Sequence, residues 1–83
     1  MADTLKEGDY VRWVTDVDKV YSTTTKTLVG KVGKILPPQE YYNSKGEKYL
    51  TPEGEYDVLF PYKDKTLWVG MIPESELVKV DAP

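Results

Sequence analysis

Val11 and Trp13 alternate with Tyr10, Arg12 and Val14 directly after Gly8-Asp9. A period of two predicts a half-buried strand with Val11 and Trp13 inward. Residues 28–36 (LVGKVGKIL) predict a second strand. Its glycines, Gly30 and Gly33, mark a bulge or a bend where another strand passes close. Pro37-Pro38 ends it, since proline cannot donate to a ladder. Residues 39–50 then predict a hairpin with its turn at 43–46, placing Tyr41 or Tyr42 opposite Tyr49. After the turn signal Thr51-Pro52-Glu53-Gly54, residues 55–60 alternate with Tyr56, Val58 and Phe60 on one face. That parity puts Asp57 on the solvent side. Residues 61–65 make a tight polar connection to a partner strand at 66–72.

Proline followed by acids in Pro73-Glu74-Ser75-Glu76 predicts one helical turn, and Val78-Lys79-Val80 a last short strand. Residues 15–27 (TDVDKVYSTTTKT) are polar and threonine-rich. They predict an excursion with a ragged hairpin around 22–26. No stretch of ten residues carries helical periodicity, so the chain is expected to be all-β. At this length a small barrel of five or six strands limits exposed edges better than a sandwich does. One domain spans 1–83, with its core at 8–80 and flexible tails at 1–7 and 81–83.

The segment from Thr66 to Val80 resembles the end of a Src-homology-3-type barrel. There a strand finishes in Gly-x-x-Pro and is followed by one 3₁₀ turn and a short last strand. Gly70, Ile72 and Pro73 match that pattern as they stand. Gly8-Asp9-Tyr10-Val11-Arg12-Trp13 is similar to the G-D-x-V-x-x opening of bacterial barrels of this type. The terminal Glu76-Leu77-Val78-Lys79-Val80 looks like that of electron-transport accessory barrels. The resemblance implies a Src-homology-3-like fold and a role in protein binding or as an accessory subunit. The chain departs from the proline-peptide-binding members of that group. It has no Tyr-Asp-Tyr segment and no tryptophan pair, and Glu74-Ser75-Glu76-Leu77 stands where their groove places Asn-Tyr.

Composition narrows the chemistry. Cysteine and histidine are absent, which removes thiolate sites and the usual imidazole base and metal ligand. The net charge of −3, with one arginine among 11 basic residues, disfavours nucleic acid as the partner. Gly30-Lys31-Val32-Gly33-Lys34 lacks the spacing and the Ser/Thr of a phosphate loop. Asp16-Val17-Asp18 lacks the further ligands a calcium loop needs. The carboxylates are expected on solvated faces, without a companion nucleophile. The reading is therefore a non-catalytic chain with no metal and no cofactor. Neither a signal peptide nor an apolar run long enough for a membrane span is legible, so a cytoplasmic location is expected.

The aromatics leave room for function. The chain has seven tyrosines and two tryptophans, more than so small a core can bury. Tyrosine and tryptophan are enriched at recognition surfaces. Tyr41, Tyr42, Tyr49, Tyr62 and Trp68 are the candidate contact residues, facing a protein partner, a large enzyme or a second copy of the chain. The bland counterpart is that the hairpin tyrosines stack across strands and stiffen a loop. The other functional reading is a nucleic-acid face built from Arg12, Lys31, Lys34, Lys63 and Lys65.

Overall fold

Strand β1 (Tyr10–Trp13) buries Val11 and Trp13, as its alternation requires, and turns Tyr10 and Arg12 outward. In the computed structural model, which describes residues 5–82, it lies inside a five-stranded antiparallel sheet. The other strands of that sheet are β2 (Val32–Ile35), β5 (Glu55–Tyr62), β6 (Lys65–Pro73) and β7 (Leu77–Val80), in the order β6-β5-β2-β1-β7. A separate two-stranded hairpin, β3 (Glu40–Tyr42) with β4 (Lys48–Leu50), is inserted between β2 and β5. The fold is all-β. The two edge strands, β6 and β7, are consecutive in the chain and joined through the 3₁₀ turn Glu74–Glu76. So short a link between opposite edges requires the sheet to bend strongly.

The inner face of the sheet holds the apolar core of Leu5, Val11, Trp13, Leu28, Ile35, Val58, Phe60, Ile72 and Leu77. Trp13 and Phe60 stack with centroids 5.9 Å apart, and the Trp13 indole N–H donates to Glu76 at 3.0 Å. Gly33 lies where β5 crosses β2. A Cβ there would come within 2.6 Å of Val58 and 2.8 Å of both the Leu59 carbonyl and Phe60. Its place in the sequence signalled that close passage.

Three local readings are corrected. The excursion at 15–27 contains no hairpin but the 3₁₀ turn Val17–Lys19 and one α-helical turn, Thr23–Lys26. Asp16 accepts from the Asp18 amide at 3.0 Å and Ser22 from the Thr25 amide at 3.3 Å. Short side-chain acceptors satisfy these amides locally and compete with strand pairing. The second strand begins at Val32, not Leu28. Gly30, at φ 86°, completes a turn first, and that turn drives Leu28 into the core. Nor is the lead-in all tail. Leu5 is buried, its carbonyl accepts from the Tyr56 hydroxyl, and a turn closed by Asp9 carries the chain from it into β1. Residues 1–4 and 83 of the expected tails lie outside the described residues. No helix among the described residues is long and apolar enough to cross a membrane.

Candidate functional site

The pairing of β5 with β6 slips between Val58↔Val69 and Tyr56↔Ile72. Over that interval β5 supplies one residue, Asp57, and β6 supplies two, Gly70 and Met71. Such a bulge interrupts the ladder and re-aims a side chain. Met71 takes the left-handed conformation at φ 55°, and its amide donates to the Asp57 carboxylate at 2.9 Å. The carboxylate thus serves as the acceptor for an amide that the irregular ladder turns aside.

Asp57 is 1% exposed, the one polar residue buried among the core positions of the described residues. This overturns the expectation that every carboxylate is solvated. Parity predicted that Asp57 would point away from the core, and it does. The outer face there is not water, however, because the β3–β4 hairpin covers it. The Tyr41 hydroxyl donates to Asp57 Oδ1 at 2.5 Å, and the Thr51 hydroxyl donates to Oδ2. Thr51 in turn accepts from the Gln39 amide at 2.8 Å, tying both ends of the hairpin to the same carboxylate. Three donors converge on one buried anion, the arrangement that makes burying a charge tolerable. Burial, reinforced by the hydrogen bond to Asp57 and its negative charge, raises the Tyr41 phenol well above its ordinary pKa of 10.0.

Gly70 makes the approach of the hairpin feasible, since a Cβ at this position would overlap the Tyr41 hydroxyl. The glycine that pointed to the fold in the sequence is therefore also the seat of the hairpin. Above the carboxylate the aromatics form a connected cluster. Tyr41 lies 5.6 Å from Tyr49, its cross-strand partner, and 6.1 Å from Trp68 on β6. Trp68 is 49% exposed, while its neighbour Leu67 turns toward the core. The stacking expected of the hairpin tyrosines is present between Tyr41 and Tyr49, and a tilted contact joins Tyr41 to Trp68 of the main sheet.

Of the five candidate contact residues, Tyr41, Tyr49 and Trp68 come together. Tyr42 opposes Lys48 on the other face of the hairpin and is 66% exposed. Tyr62 packs against the core at the far end of β5, with Lys63 over its ring at 5.3 Å. The basic set is also divided. Arg12 and Lys34 share the outer face of β1 and β2, whereas Lys63 lies in the β5–β6 turn and Lys65 opens β6 just after it. Lys31 is exposed just before β2. Asp57 was missed as a site residue. Its sequence signal was weak: an acid inside an alternating strand, opposite a glycine of the partner strand. Asp16 caps its own turn, and among the described residues no cluster of three acids is placed to hold a metal ion.

No protein-family model, no curated protein and no solved structure matches this chain.

Proposed function

We propose that the chain is a non-catalytic protein-interaction module, an accessory or regulatory unit that docks on a larger protein through the Tyr49–Tyr41–Trp68 face. The observation that carries this reading is the exposure of Trp68 in a cluster whose central member is held by a buried carboxylate. A pre-positioned aromatic surface loses little side-chain entropy on binding, and fully desolvated tryptophans and tyrosines dominate interface energies. Tyr42, on the opposite face of the hairpin, is not part of this contact. Leu50 shares its strand with Tyr49 but points to the Tyr42 side, so it is not part of it either.

The test is capture from the native host on immobilised protein, followed by affinity measurement on the partner obtained. Trp68→Ala with Tyr49→Ala is expected to weaken that affinity at least tenfold, about 1.4 kcal/mol. Tyr42→Ala is expected to leave it unchanged, and circular dichroism checks that each variant is folded. Equal affinity for the wild type and the double variant would remove this face as the contact.

A further inference from the structure

The outer face of the main sheet, beyond the hairpin, is neither plain nor uniformly polar. Two cross-strand rows run over it. In one, Leu59 pairs with Lys34, Lys34 with Tyr10, and Tyr10 with Val80. In the other, Arg12 lies between Val32 and Val78, and Pro61 is the next outward residue of β5 after Leu59. Tyr10, Arg12, Val32, Lys34, Leu59 and Pro61 line an open groove of about 400 Å³. Val80 and Asp81 complete its rim: the floor is apolar, Arg12 and Lys34 are its two cations, and Asp81 is its one carboxylate, which leaves the lining net positive. Lys34 leans over the Tyr10 ring at 5.9 Å, and Arg12 donates to the Gly30 carbonyl at 2.8 Å. Among the described residues the ion pairs are Lys48–Glu40 and Lys79–Asp9, so neither groove cation has a carboxylate partner. On a chain of net charge −3 this is a local inversion of sign.

We propose that this groove binds an extended, acidic segment of a partner protein, with one or two Asp or Glu side chains flanked by apolar ones. Charge complementarity selects the acid, since Arg12 and Lys34 lie diagonally on adjacent strands, outnumber the single Asp81, and neither is in an ion pair. The floor selects the apolar flanks. Length selects an extended chain: a path across the sheet from β5 to β7 crosses four strands at about 4.8 Å spacing, which about five extended residues match. Nucleic acid fits less well. Two cations neutralise few phosphates, and the apolar floor gives a backbone nothing to pair with. The groove lies on β1, β2, β5 and β7, and none of its lining residues belongs to the β3–β4 hairpin.

A random heptapeptide library panned on the intact protein is the probe. Enriched sequences are expected to carry Asp or Glu between apolar residues. Amide shifts on titrating the best of them should centre on Tyr10, Lys34 and Leu59. Lys34→Ala is expected to weaken binding about tenfold, and Lys34→Ala with Arg12→Ala to abolish it. Because Arg12 also holds Gly30, the Lys34 variant alone keeps the test valid if the double variant unfolds. Tyr49→Ala is expected to have no effect, which separates this groove from the hairpin face. The proposal is overturned by selection without acidic enrichment, by failure to enrich any peptide, or by equal binding to the Lys34 variant. A single-stranded oligonucleotide that binds the same residues more tightly than the peptides do would overturn it as well.

Discussion

The two faces of β5 bury side chains by different means. On the inner face Val58 and Phe60 enter a dry core, where Phe60 stacks on Trp13 and β5 passes hard against Gly33. On the outer face Asp57 is buried just as deeply, beneath a tyrosine and a threonine of a hairpin that adds little apolar area of its own. The inner face is held by area, which is non-directional and tolerant of small shifts. The outer one is held by three hydrogen bonds to a single carboxylate, which are directional and fail together. One strand therefore carries both the general stability of the sheet and the specific placement of an appended hairpin.

Removing the largest fully buried side chain tests the inner face. Phe60→Ala is expected to cost about 3–5 kcal/mol, much of the stability of a domain this small, and to loosen sheet and hairpin alike in denaturant titrations. Asp57→Ala is expected to cost less, about 2–3 kcal/mol, because Tyr41, Thr51 and Met71 lose their acceptor. It should act unevenly: hydrogen exchange at Tyr41 and Tyr49 accelerates toward that of a free hairpin, while Val11 and Ile35 stay protected. Uniform loss of protection would show that the two faces unfold as one unit.

Alkaline pH separates them more gently. The Tyr41 phenol is raised by burial and by Asp57, and the Tyr56 phenol by burial and by Glu74 and Glu53. A phenol raised on folding stabilises the native state below its unfolded pKa of 10.0, and that stabilisation is lost as pH climbs above this value. Unfolding free energy should therefore fall above pH 10.0. In Tyr41→Phe, which loses about 1 kcal/mol at neutral pH, the fall should be shallower. Tyrosinate absorbance in the native protein should show late-titrating phenols, one fewer in that variant.

Legibility followed the same division. Alternation placed Val11, Trp13, Val58 and Phe60 inward, and Gly70-x-Ile72-Pro73 located the last turn, because burial against a sheet imposes a period on the residues themselves. The Tyr41–Tyr49 pair was one of two registers the hairpin allowed. Asp57 was not legible as a buried group. Its burial depends on a second element folding over it, and strand parity knows only inside and outside. The α-helical turn at Thr23–Lys26 was hidden for a related reason: a cap of one serine and four residues is too short to leave a period.

The joining of β7 to β1 has a consequence for how the chain folds. Tyr10 pairs with Val80, so the last ladder closes a loop of about seventy residues, whereas the β5–β6 hairpin needs a two-residue turn at Lys63-Asp64. Pairings of high sequence separation form late and slow the reaction. Until β7 is available, β1 has β2 as its one sheet neighbour and its other edge is unpaired. The Trp13 indole donates to Glu76, directly before β7, so its fluorescence is expected to report the closing of this ladder.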